Sequence, residues 1–260
     1  MKVTVLGCGT SSGVPRIGGA DGAGDWGDCD PSEPKNRRRR VSILVEHGGK
    51  TVLVDTGPDL REQLLAARIC RIDAVFLTHD HADHAHGIDD LRQVFYAMKA
   101  PVACYASPAT WQVLRKRFDY VFEGTKYYPP TCTATDLDGP VQVGDMRISS
   151  FEQNHGNIDS TGYRIETAAS AIAYSTDVKM LDDRASAGLA GLDLWIVDAL
   201  RRTPHPTHSH LAQTLEWIAH YRPGRAVLTH MDQTMDYAML AAKLPAGVTP
   251  GHDGLTITLN

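Results

Sequence analysis

Apolar residues fall into short runs along the chain, punctuated by Gly, Pro, Asp and Asn. Runs at residues 3–6, 41–46, 50–57, 72–77 and 101–106 read as strands, rich in Val, Ile and Leu. A second series reads the same way at 141–151, 161–167, 171–177, 192–200, 225–230 and 255–259. Helices are expected over 58–67, 84–98, 108–122, 210–221 and 236–244, with a short one before the strand at 192–200. In the 84–98 segment, Ile88, Leu91, Val94 and Phe95 lie near helical spacing. Residues 123–139 read as irregular, and 7–36 as a long loop rich in Gly, Pro, Ser and Asp. A loop that long inside a compact domain is usually functional or disordered.

The early strands crowd together with little helix between them. This predicts two packed sheets with helices outside, rather than an alternating βα chain. No linker interrupts the pattern, so one domain over 1–260 is expected. "VFLTH" ending at His79 and "AVLTH" ending at His230 form a faint internal echo. It fits two related halves meeting at one site.

Composition narrows the class. The chain has 260 residues, 42% hydrophobic and 22% charged, with a net charge of -5. That balance argues against a general nucleic-acid coat but leaves room for a local basic patch. The five cysteines (Cys8, Cys29, Cys70, Cys104, Cys132) form no CxxC pair and fit a reducing compartment, so a cytoplasmic protein is expected. No window approaches the apolar length of a membrane span.

The densest chemistry lies in "AVFLTHDHADHAHGIDD". His79, His81, Asp83 and His84 follow directly on a strand, within one turn-sized region. Imidazoles suit zinc, manganese and iron, and carboxylates favour harder ions. Three further donors sit at later strand ends: His155, Asp177 and His230. Each alone has an ordinary explanation. Asp177 could cap the next segment, and either histidine could be hydrogen-bonded at a sheet edge. Together, after the cluster, they predict one joint metal site.

The order HxHxDH, His, Asp, His resembles the metallo-β-lactamase superfamily, along essentially the whole chain. The resemblance implies a four-layer αββα sandwich. It also implies that His79, His81 and His155 bind one metal, that Asp83, His84 and His230 bind the second, and that Asp177 bridges. Two divalent ions are implied, Zn²⁺ or Mn²⁺, with iron also tolerated. An aspartate at 177, where true β-lactamases often carry cysteine, points to hydrolases of phosphodiesters, thioesters or lactones. "LGCGTSSGVPRIG", "DPSEPKNRRRRVSILV", "HADHAHGIDDLR" and "DALRRTPHPTHSHL" resemble the PhnP-type phosphodiesterases, near ribonuclease Z. Some members hold an extra structural zinc with cysteines of the N-terminal loop and a histidine three residues past the last metal ligand. Beyond Cys8 at its start, the loop of this chain has only Cys29, and Gln233 stands at that position, so no structural zinc is expected. The arginines at 37–40 and the acids Asp25, Asp28 and Asp30 are expected to hold the loop instead.

The implied reaction is attack of a metal-bridged hydroxide on a small cyclic or nucleotide phosphodiester. His208 matches the proposed general acid of that branch, with His205 and His210 as competitors, and Asp83 is expected to orient the nucleophile while ligating. Ser11, Ser12 and Gly13 lie in a stretch that is either a plain turn or a phosphate contact. Arg38 or Arg40 could clamp phosphate, although an arginine run is more often a salt-bridged strand edge. Tyr237 and Asp236 could line the pocket, with core packing equally open for the tyrosine. Asp55 reads as a partner of a metal histidine. The alternatives are tRNA 3′ processing and thioester or lactone hydrolysis. A tRNA enzyme of this kind grips its substrate with a basic arm, and no such insertion is visible. Neither a membrane nor a stable nucleic-acid complex is therefore expected. Family members are often dimers, so a homodimer is compatible.

Overall fold

Alternate residues of the first strands feed two different cores. The computed structural model describes residues 1–260, the side chain of Arg184 excepted. β1 (Lys2–Gly7), β2 (Ser42–His47) and β3 (Lys50–Val54) run antiparallel. Val3, Val5, Ile43, Val45, Val52 and Val54 join one buried cluster, while Leu6, Leu44 and Leu53 join another. This is the period of two of a sheet covered on both faces. Helix α1 (Leu60–Ala67) leads to β4 (Ala74–Phe76), then α2 (Ala82–Ala85), α3 (Leu91–Met98) and β5 (Val102–Ala106). α4 (Pro108–Arg117) and α5 (Asp119–Phe122) precede β6 (Cys132–Asp136). Strands β3 to β6 pair in parallel. Leu60, Leu64, Leu91, Val94, Trp111 and Leu114 of the helices cover Leu44, Leu53 and Val75.

The second half repeats the plan. β7 (Val141–Val143), β8 (Met146–Asn154), β9 (Asp159–Glu166) and β10 (Ala171–Ser175) are antiparallel. After α6 (Asp183–Leu189), the strands β11 (Leu194–Asp198), β12 (Arg225–Thr229) and β13 (Val248–Pro250) continue in parallel. α7 (Leu211–Tyr221) and α8 (Tyr237–Ala241) connect them. β14 (Thr256–Thr258) returns to pair with β1. The sheets run β14-β1-β2-β3-β4-β5-β6 and β13-β12-β11-β10-β9-β8-β7. Val5, Ile43, Val54 and Phe76 of one meet Ile148, Tyr163, Ile165 and Tyr174 of the other. This is the expected four-layer αββα sandwich, with two halves of matching order. No helix is long and apolar enough to cross a membrane.

The structure departs from the periodicity in five places. The helix expected over 84–98 breaks into α2, a 3₁₀ turn (Ile88–Asp90) and α3. Gly87 is the cause, because a Cβ there would meet the Gly57 carbonyl at 2.0 Å. The helix expected over 108–122 breaks at Phe118, whose extended φ of -131° ends α4. The stretch at 141–151 is a hairpin turning at Gly144, which has φ +59°. The irregular 123–139 segment contains β6, and β13 was not expected. Both are edge strands, β6 polar and β13 ending in proline, so neither carries the apolar run of a central strand.

Two ties lock the sheets together where the first one ends. Tyr163 Oη donates to the Leu77 carbonyl (2.6 Å), and the Thr161 N–H donates to Thr78 O (2.9 Å). The long N-terminal loop is ordered by Arg38 of the expected run and, locally, by the expected acids Asp25, which accepts from Arg16 and Gly27, and Asp30, which accepts from Ser32. Arg38 is buried, and its guanidinium donates to Asn36 Oδ1, Cys29 Sγ and the carbonyls of Asp232 and Met235. Asp236 accepts from Asn36 Nδ2 (2.6 Å) and the Asp30 N–H (3.2 Å). Asp25 pairs with Arg16 rather than with the 37–40 run. Asp28 contributes its N–H, to Gln233 O (2.9 Å). The loop therefore rests on the segment after β12.

Asp253 ties the ends of β1 and the loop. Its carboxylate accepts the N–H groups of Cys8 (3.3 Å) and Arg39 (2.8 Å). Burial outweighs these donors and raises its pKa to about 6. The folded state thus binds this proton more tightly than an unfolded chain with a carboxyl near ~3.9. The stabilisation is complete below about pH 4 and disappears as pH rises through about 6. Urea unfolding at pH 4.5 and pH 7 is expected to show this in a comparison with Asp253→Asn. The stability difference between wild type and variant should shift by on the order of 2 kcal/mol against the wild type at the higher pH. A constant difference would contradict the assignment.

Candidate metal centre

The ends of β3, β4, β8, β10, β11 and β12 bring their following residues to one rim between the sheets. Three of these residues leave their strands in a left-handed turn: Asp55 (φ 67°), Asp177 (φ 53°) and His230 (φ 56°). That conformation costs a non-glycine residue roughly 1–2 kcal/mol. It persists where surrounding contacts over-determine it, which is common at functional sites.

Asp177 is buried and lies at the centre. Its Oδ1 faces His79 Nε2 (3.8 Å), His155 Nε2 (3.6 Å) and His208 Nε2 (3.8 Å). Its Oδ2 faces His84 Nε2 (3.1 Å) and His230 Nε2 (3.5 Å). Asp83 Oδ2 lies against the same two nitrogens, at 3.3 Å and 3.5 Å. Candidate ligand atoms converge in the groups His79, His81, His155, Asp177 and Asp83, His84, His230, with His208 beside Asp177 and His230 in a third. All seven residues expected to ligate are therefore brought together, and His208 with them.

The imidazoles are aimed by bonds on their other nitrogens. His84 Nδ1–H donates to Asp55 Oδ2 (2.8 Å). Thr78 Oγ1 lies 3.0 Å from both Asp55 oxygens and from His79 Nδ1, so it donates to the carboxylate and accepts from the ring. His155 Nδ1–H donates to Thr207 O (2.8 Å), and His208 Nδ1–H to Asp198 Oδ2 (3.0 Å). These bonds leave the Nε2 lone pairs of His79, His84 and His155 pointing at the centre, which His208 Nε2 also faces. The Nε2 atoms of His79, His84 and His230 are buried without a hydrogen-bond partner. Orphaned nitrogens beside carboxylate oxygens make a donor set suited to divalent metal.

The electrostatics agree. Burial alone would push Asp83 and Asp177 up, but His84 and His230 hold both well below the usual carboxylate range. Burial would lower His84 and His230, yet Asp177 and its acidic neighbours raise both, His230 to about 9. His79, buried and next to His84, is pushed well down. The ionised carboxylates demand local positive charge, the condition divalent ions satisfy.

The second rank of expected residues divides. Ser11 and Ser12 line a cavity of about 540 Å³ with Pro15, Arg16, Ile17, Arg40, Pro58, Ala82 and Asp83. Gly13, at φ +66°, shapes the turn, but its N–H bonds Thr10 O (2.8 Å). Arg38 is not brought to the site; Arg40 is the arginine at the cavity. Tyr237 is also elsewhere, its hydroxyl accepting from Lys35 Nζ (3.2 Å) and its ring edge on His252. His205 packs beside His208 with ring centroids 5.1 Å apart, and burial lowers its pKa. His210 precedes α7 without capping it through its side chain. Asp198 was missed. Its signal was the one that exposed Asp55 and Asp177, an aspartate closing an apolar strand ("LWIVD").

The profile of the "Beta-lactamase superfamily domain" matches residues 50–231. The chain belongs to the metallo-β-lactamase superfamily, in its PhnP-type branch. A solved structure of a new diphosphatase from the PhnP family superposes with a TM-score of 0.89 at 35% identity, covering 100% of this chain and 98% of that one. The octanoyltransferase of Porphyromonas gingivalis (strain ATCC BAA-308 / W83) is 33% identical over 98% of this chain and 51% of its own length. Ribonuclease Z of Bradyrhizobium sp. (strain ORS 278) is 29% identical over 53% of this chain and 48% of its own length. The chain thus spans about half the length of these curated relatives.

Asp55 is fully buried and holds His84. Asp55→Ala is expected to weaken divalent-metal affinity roughly 10- to 100-fold in chelator competition. Unchanged affinity would show that His84 needs no such partner.

Proposed function

We propose that this chain is a metal-dependent hydrolase that cleaves small phosphodiesters, cyclic or nucleotide-like. The observation that carries the reading is the division of Asp177, with Oδ1 toward His79 and His155 and Oδ2 toward His84 and His230. In this reading His79, His81 and His155 would hold one divalent ion and Asp83, His84 and His230 a second, with Asp177 shared between the two groups. Zn²⁺ and Mn²⁺ both fit the donors. Bound there, the pair supplies water acidic enough to attack at neutral pH and charge to offset the phosphoryl oxygens.

The chain's own groups do the rest. Asp83, at the wall of the cavity, orients the attacking water. His208 gives its Nε2 proton to the departing alkoxide. Asp198 holds the opposite nitrogen, fixes the ring and offsets the imidazolium charge. His208 is favoured over His205 because its Nε2 reaches the Asp177 centre and its Nδ1 is anchored. The likeness to a PhnP-family diphosphatase supports phosphorus over a carbonyl carbon as the centre attacked. A cytoplasmic location and a homodimer remain part of the proposal.

The test is hydrolysis of bis(p-nitrophenyl) phosphate by chelated protein reloaded with Mn²⁺ or Zn²⁺, beside a 2′,3′-cyclic nucleotide, a thioester and a precursor tRNA. Phosphodiester turnover is expected only with metal. His208→Ala should lower kcat by roughly 10²- to 10⁴-fold while metal content is kept. Turnover of the thioester alone, indifferent to His208, would move the chain to carbonyl chemistry. Cleavage of the tRNA in preference to the small esters would assign it to RNA processing.

A further inference from the structure

The candidate metal histidines differ in how their rings are held. His79, His84 and His155 each bond through Nδ1, to Thr78, Asp55 and the Thr207 carbonyl. His230 does not. Both its ring nitrogens are buried without a hydrogen-bond partner among the described residues. Its Nδ1 faces Asp198 Oδ1 at 3.9 Å, and that oxygen is also buried and unpartnered. The separation is about 1 Å beyond an ordinary N–H···O bond. The other oxygen, Asp198 Oδ2, accepts from His208 Nδ1–H (3.0 Å) and from the Val178 N–H (3.1 Å). The rings of His208 and His230 lie parallel, with centroids 4.7 Å apart and planes at 14°. Two stacked imidazoles are thus spanned between two carboxylates. Their Nδ1 atoms face Asp198, and their Nε2 atoms face Asp177, at 3.8 Å for His208 and 3.5 Å for His230.

We propose that Asp198 is a positioning residue for His230 as well as for His208, its Oδ1 taking the Nδ1 proton of His230 and so fixing the tautomer whose Nε2 is bare. This rests on the reading of His230 as a metal ligand and holds whichever ester the centre cleaves. A metal-binding imidazole is neutral and carries one proton, and the nitrogen with an acceptor keeps it. A side-chain shift of about 1 Å joins two atoms that are each costly to leave buried and unpaired. Val178 directly follows Asp177, so the same carboxylate also holds the backbone beside the central aspartate.

Asp198→Asn separates this role from simple packing. An amide offers one acceptor oxygen. Val178 N–H and His208 Nδ1–H both require it on the side of Oδ2, so the NH₂ group faces His230 Nδ1. Its donation would drive the His230 proton onto Nε2, the nitrogen a metal needs. Zn²⁺ affinity is read by chelator competition on the metal-stripped chain, and His230→Ala identifies the ion that His230 holds. Asp198→Asn should weaken that ion roughly 10- to 100-fold and leave the other at its wild-type affinity. Asp198→Ala, which presents no opposing donor, should weaken the same ion less. A packing role alone predicts the reverse order, because alanine removes more bonds. His208→Ala should bind metal as wild type does, which excludes an effect relayed through His208. The proposal is overturned if Asp198→Asn binds metal normally, weakens every ion equally, or is no weaker than Asp198→Ala. Metal affinity that is indifferent to His230→Ala removes the reading of His230 as a ligand, and the proposal with it.

Discussion

A carboxylate cannot be buried alone, and the site is arranged around that constraint. Asp177 has almost no contact with solvent, and its charge would be prohibitive without compensation. The compensation comes from nitrogens of five histidines supplied by both sheets, all facing it within 3.8 Å. Those imidazoles need their own orientation, which brings in Asp55, Thr78 and the Thr207 carbonyl. Asp55 is itself buried, and burial raises its pKa despite His84 and Thr78. Each layer of polar groups is admissible only because the next one satisfies it.

This network requires that the two sheets keep a fixed relation. The donors of the first sheet follow β4, and Asp177, Asp198 and His230 close strands of the second. Tyr163 and Thr161 of the second sheet grip Leu77 and Thr78 of the first, one residue before the histidine cluster begins. A parallel contact binds the N-terminal loop, since Met231, next to His230, exchanges hydrogen bonds with Cys8 and Thr10. The loop that forms the cavity wall is therefore registered on the same backbone that presents His230.

How much of this the sequence disclosed follows from where each signal originates. Strand-end donors were legible because the strands are apolar and the ligands interrupt them abruptly. The sandwich followed from crowding of strands early in the chain. The broken helices were hidden because Gly87 acts through a backbone approach from Gly57, a contact that no periodicity encodes. β6 and β13 were hidden because edge strands need little apolar sequence. Asp198 was legible by the same rule as Asp177 but was passed over, since the neighbouring histidines drew the functional reading.

The arginine run shows why a charge pattern alone misleads. Four consecutive arginines suggest a basic patch, yet an extended backbone sends neighbours in different directions. Arg37 lies over the Trp26 ring at 5.0 Å, and Arg38 is buried as an internal clamp of the loop. Arg39 offers its backbone N–H to Asp253. Only Arg40 joins the cavity with its terminal nitrogens free among the described residues. One free guanidinium is a poor match to a polyanion, whose binding rests on many phosphate contacts at once. The folding of this run therefore leaves one open guanidinium at the cavity instead of a continuous basic patch.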